Sequence, residues 1–137
     1  MAERALIDET VDKIVQCFEF GFMCSVLTGS TENLQKTRES LFEKLISKSY
    51  SVNLIDLYKD SVSFEINGEN PIAFVWGLEN LAPTQDASYT IRTFLDVEKH
   101  SGLGSVIFCE TGSYDAHFND QNSPFYLFAA RLSVDPN

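Results

Sequence analysis

Asn53-Leu-Ile-Asp-Leu-Tyr-Lys-Asp60-Ser-Val62 and Pro71-Ile-Ala-Phe-Val-Trp76, then a helical pattern from Ser88 to Lys99 and Ser105-Val-Ile-Phe-Cys109, together decide the fold. Short apolar runs separated by a helix of this length read as a βαβ unit in a parallel sheet. The helix offers Ile91, Phe94, Leu95 and Val97 as buried positions and ends at Ser101-Gly102. Tyr50 to Phe64 admits two readings. Val52, Leu54 and Asp56 alternate as in a strand, whereas Leu54, Ile55, Tyr58 and Val62 fall at helical spacing. We prefer the helix, which makes Asn53 a cap and puts Asp56 and Asp60, four residues apart, on one face.

Upstream, Ile7, Val11, Ile14 and Phe18 follow spacings of four, three and four, so residues 3–20 form an amphipathic helix closed by Gly21. Phe22-Met-Cys-Ser-Val-Leu27 is a short apolar strand ending at Thr28-Gly29-Ser30. Thr31 then caps a helix with Leu34, Leu41 and Leu45 on its apolar side, stopping near Ser47–Ser49. Asn67-Gly68 is a turn leading into the strand at Pro71. Thr111 to Pro124 is polar and rich in turn formers, and Phe125–Leu132 is a final apolar element, either edge strand or packing helix. No repeat or interdomain linker interrupts the chain.

The 137 residues suit one domain, and an apolar share of 44% is that of a folded globular protein. Twenty Asp and Glu against ten Lys and Arg leave a formal charge of −10, a field that repels nucleic acid and anionic lipid and speeds encounter with basic partners. Cys17, Cys24 and Cys109 form no CxxC or CxxH pattern, so neither a zinc site nor a disulfide framework is expected. The first residues carry acids where a signal peptide would be basic and then apolar, and no apolar run reaches membrane-spanning length. A soluble, cytoplasmic protein is the expectation.

Three kinds of chemistry are suggested by these residues. Gly29-Ser-Thr-Glu-Asn-Leu-Gln-Lys36-Thr37, between strand and helix, imitates the layout of a phosphate-binding loop. That loop needs a second glycine directly before its lysine, so that backbone N–H groups close around the phosphates. Here Gln35 precedes Lys36, the spacing is one residue too long, Glu32 puts negative charge into the cradle, and Glu79 follows strand 71–76 by three residues. Nucleophilic catalysis has no local signature: neither His100 nor His117 sits in a recognisable context with Ser or Cys, and His100 at a helix C-terminus is explained by the dipole. The third is a carboxylate surface. Asp56 and Asp60, with Tyr50, Asn53 and Leu57 close by and Asp96 on the later helix, would form an anchor patch for a cleft rich in Arg and Lys.

Tyr50 followed by Asp56-Leu-Tyr-Lys-Asp60, then Pro71 to Trp76, then Phe94-Leu-Asp96, Gly102 and Val106-Ile-Phe-Cys109, in that order, resembles the barstar family of acidic intracellular ribonuclease inhibitors. The likeness covers roughly residues 22–110. It implies a three-stranded parallel sheet flanked by helices, and acids that stand where substrate phosphates would sit: Asp56, Asp60 and Asp96, with Tyr50 as a contact.

The expectation is therefore a single α/β domain: a core over 22–110, an extra N-terminal helix over 3–20 and a C-terminal extension over 111–137. Strands fall near 22–27, 71–76 and 105–109. Its function would be that of a non-enzymatic immunity protein, monomeric when free and without a cofactor, that occludes a basic nuclease toxin through Tyr50, Asn53, Asp56, Leu57, Asp60 and Asp96. The alternative is a degenerate phosphate-loop nucleotide-binding module acting as an assembly subunit.

Overall fold

The computed structural model describes residues 2–59, 64–82, 86–125 and 131–135. Helix α1 (Ala2–Glu19) precedes strand β1 (Cys24–Gly29) and helix α2 (Thr31–Ser47). Strands β2 (Ser51–Asp56) and β3 (Pro71–Trp76) follow, then helix α3 (Asp86–Lys99), strand β4 (Gly104–Glu110) and strand β5 (Arg131–Ser133). All strand pairs are parallel, in the order β2-β3-β4-β1-β5.

The three expected strands are present, the first displaced to Cys24–Gly29, but among the described residues the sheet has five. One addition overturns the helical reading of Tyr50–Phe64: Ser51 to Asp56 is a strand, in register with Pro71 to Trp76. Alternation won over helical spacing for a tertiary reason. As a strand, Val52 and Leu54 lie beside Ile72 and Phe74 on one face while Ile55 is buried on the other, and the backbone pairs with β3. The other addition, β5, pairs with β1 and settles part of the last apolar element as strand; residues 126–130 of that element lie outside the described residues.

Two apolar layers sandwich the sheet. On one face Ile7, Val11, Ile14 and Phe18 of α1, with Leu34, Leu41 and Leu45 of α2, cover Leu27, Phe74 and Phe108. On the other, Ile91 and Leu95 of α3 join Phe118 and Phe125 over Val26, Val75 and Ile107. The core thus reaches past residues 22–110 in both directions, into α1 and into Phe118, Phe125 and Val134. Helices α1 and α3 stop just before the expected glycines, Gly21 and Gly102. Two positions of α3 differ from expectation: Phe94 is only partly buried and Val97 is exposed, because the contact stripe follows Ser88, Ile91 and Leu95. Among the described residues no helix is long and apolar enough to cross a membrane.

This order fixes where a site can form. From β1 the chain leaves through α2 on one face, while from the adjacent β4 it leaves through residues 111–125, whose buried side chains pack on the other. Neighbouring strands whose connections diverge open a crevice at their carboxyl ends, where ligands of parallel α/β sheets bind.

Candidate functional site

Gly29, Ser30 and Thr31 from β1 and α2, Glu110, Thr111 and Gly112 after β4, and Asp135 after β5 line this crevice, an open cleft of about 310 Å³. Ser30, not Thr31, is the N-cap of α2, its Oγ accepting from the Asn33 N–H at 3.3 Å. That frees the Thr31 hydroxyl to donate to the Glu110 carboxylate. The next group in the first turn is an acid from the far end of the chain. Asp135 Oδ1 accepts from the Ser30 N–H and from Asn33 Nδ2, each at 2.9 Å. Burial alone would raise its pKa, but these hydrogen bonds, with one from the Ser30 side chain, outweigh that and bring it below the usual carboxylate value.

An Asp carboxylate therefore sits at the positive dipole end of a helix, the region where a phosphate-binding loop holds its anion, held by the N-cap N–H of Ser30 and the Asn33 side-chain amide. The approach is close: a Cβ on Gly29 would stand 2.7 Å from Val134 Cγ2 and 3.0 Å from Asp135 Oδ1, so glycine is required for the segment after β5 to seat. Lys36, the candidate phosphate lysine, lies more than a turn farther along α2 and pairs with Glu32 at 3.1 Å.

Beside the cleft a third acid joins Glu110 and Asp135. Glu79 lies on the short 3-10 turn Leu78–Asn80, and Gly77, with φ of +94°, turns the chain back after β3. A Cβ there would strike the Tyr58 ring at 2.9 Å. Glu79 Oε1 accepts from the Glu110 N–H at 3.4 Å, and Oε2 accepts from the Tyr58 hydroxyl. Burial first, and then that bond and the nearby carboxylates, raise the Tyr58 pKa far above normal. The same surroundings push the buried Cys109 thiol up to about 12, mainly through burial, with Glu79 and Glu110 adding to it. It stays protonated and poorly nucleophilic. Along the neighbouring wall Arg38 stacks over Trp76 at 4.2 Å. Glu79, Glu110 and Asp135 make this end of the sheet an acid-rimmed mouth that disfavours a phosphate chain. Among the described residues no group of three or more His, Cys, Asp or Glu is placed to hold a metal ion.

The residues expected to form an anchor patch are dispersed. Asp56 ends β2, where its Oδ1 accepts from the Tyr58 N–H at 3.0 Å and closes a turn. The helix expected to carry it is a strand over 51–56, and Asp60 lies outside the described residues. Tyr50 precedes β2 at the opposite end of the sheet, its ring 6.3 Å from that of Phe18. Asn53 caps no helix. Its side chain donates to the Asn67 carbonyl at 3.2 Å and accepts from the Asn67 N–H at 3.0 Å, holding the strap before β3. Leu57 is only 4% exposed, packed in the core with Leu78 and Val75. Asp96 lies towards the end of α3, where Oδ2 accepts from Arg92 Nε at 2.8 Å.

By sequence Glu79 stands three residues past strand 71–76, too late for an acid at the strand end, and Gly77 is the local clue that the chain turns back. Asp135 had no local clue, because its partner Ser30 is 105 residues away. The fold and this crevice define an α/β protein with a parallel sheet flanked by helices and a carboxylate-filled helix N-terminus at its switch point. No protein-family profile matches the sequence, and a search of curated proteins finds no significant match.

Proposed function

We propose that this chain is a degenerate phosphate-loop module that works by protein contact, as a non-enzymatic assembly subunit. One observation carries the reading: at the N-terminus of α2, at the switch point of the sheet, the chain's own Asp135 carboxylate accepts from the Ser30 N–H and the Asn33 amide. The layout of strand, Gly29-Ser30 turn and helix fits an ancestry in nucleotide binding, while the filled anion position and the acids Glu79 and Glu110 oppose phosphate entry. Thermal unfolding with and without magnesium ATP or ADP tests it. A ligand that binds only the folded form must raise Tm. We expect no shift; a rise that grows with nucleotide concentration overturns the closed-loop reading.

The resemblance to the barstar family supports a second reading, an acidic inhibitor or immunity protein that occludes a basic ribonuclease-type toxin. Its support is the net charge of −10 and the parallel sheet flanked by helices. The two readings part at the acids. An inhibitor that mimics phosphates uses Asp56 and Asp96, so replacing both with alanine abolishes inhibition of a basic ribonuclease; an assembly subunit of the first kind inhibits none.

A further inference from the structure

We infer that the free edge of β2, with the apolar face of α2 beside it, receives an extended segment of a basic partner protein as an added strand. The inference deepens the reading of the chain as a module acting by protein contact, and rests on it. Strand β2 ends the sheet, and among the described residues its only ladder partner is β3. Alternate peptide groups of a parallel strand point away from its one neighbour, so the outer side of β2 presents unpaired donors and acceptors. The strap over residues 64–67 does not take that place. It is held by Asn53, and Phe64 and Ile66 pack against the buried cluster on the α3 side of the sheet, so residues 64–67 lie over that face, and among the described residues none covers the edge.

On the other face three apolar side chains stand beside this edge. Leu54, 49% exposed, lies next to Phe74 in register and so on the side where α2 packs. Phe42 and Ile46, 45% and 47% exposed, are one turn apart on α2. Helix α1 meets α2 at Lys44, which pairs with Asp12; this position lies two residues from both Phe42 and Ile46, on the opposite side of the helix. The two side chains therefore face away from α1, toward the β2 end of the sheet.

Charge selects the occupant. Glu39 and Glu43, one turn before Phe42 and Ile46, line a groove with Arg4 and Lys36 on the outer side of the helix, and Arg38, one turn before Phe42, is engaged over the Trp76 ring at 4.2 Å, so the local acid at the edge is Asp56. Asp56 closes the strand, and the chain as a whole carries −10. A second copy would bring like charges together, whereas a strand alternating apolar residues with Lys or Arg satisfies the backbone, the apolar strip and this acid at once.

Selection of a random display library of short peptides on the full chain tests this. Enriched sequences should alternate apolar residues with Lys or Arg and exclude proline from the pairing positions. Binding of a synthetic enriched peptide should fall about tenfold or more in Leu54→Glu and in the Phe42→Glu/Ile46→Glu variant, with unchanged circular dichroism. A proline scan separates strand addition from charge attraction, since proline removes the donor and keeps the charge. No enrichment, enriched peptides that bind both variants as well as wild type, or indifference to proline overturns the inference. Sedimentation showing a dimer that Leu54→Glu dissociates assigns the edge to a second copy, and overturns it too. Nucleotide stabilisation in the thermal assay would instead remove the closed-loop reading and leave these peptide results standing.

Discussion

Asp135 acts on a helix that begins 104 residues before it, and its effect depends on its charge. The carboxylate satisfies the Ser30 N–H and the Asn33 amide at a helix N-terminus. Asp135→Ala should cost about 1 kcal/mol in denaturant titration at neutral pH, the size of a lost cap. Its pKa is lower in the folded chain than the ordinary 3.8, so the stabilisation is complete above that value and is lost as pH falls through the folded pKa. Wild type and variant should converge in acid; a gap that persists there assigns the effect to packing. His117 behaves differently. It is 2% exposed, its Nδ1 has no hydrogen-bond partner among the described residues, and its pKa is lowered chiefly by burial, partly offset by a hydrogen bond to the Leu81 carbonyl and by Glu79. The unfolded chain then takes the proton first, so stability declines as pH drops below about 6.5. In His117→Gln that decline should flatten between about pH 7 and pH 5, as measured by chemical denaturation.

Helix α2 shows how much of an element is local. Its apolar stripe of Leu34, Leu41 and Leu45 was readable from spacing alone, and those side chains are buried. Leu41→Ala should cost about 2–5 kcal/mol, as for a fully enclosed leucine, whereas Phe42→Ala one position on should cost far less because that ring is half exposed. Equal losses would mean that the helix seats on a different face. Its cap was legible only to within one residue: Ser30 and Thr31 are both good capping types, and in the fold Ser30 caps while the Thr31 hydroxyl donates to Glu110. Ser30→Ala should therefore destabilise by about 1 kcal/mol in thermal or denaturant unfolding, the loss of a cap. Segment 51–56 marks the limit. Its sequence satisfies helix and strand patterns together, and pairing with β3, invisible locally, decided for strand.

For the whole molecule, the charge of −10 governs how it meets partners. Association with a basic partner should slow as ionic strength rises, because exposed charges are screened over about 8 Å at physiological salt. Stopped-flow rates independent of salt would mean that the acids do not steer encounter. The sequence by itself determined the α/β class, three of the parallel strands, helices α1, α2 and α3, and most of the buried positions, since periodicity and turn residues act within a few neighbours. Only tertiary structure decided the rest: that β2 is a strand, that β5 returns beside β1, and that Glu79, Glu110 and Asp135 gather at one end of the sheet. Each of these depends on groups far apart in the chain, whose meeting is set by strand order and by the requirement that a helix N-terminus find an acceptor.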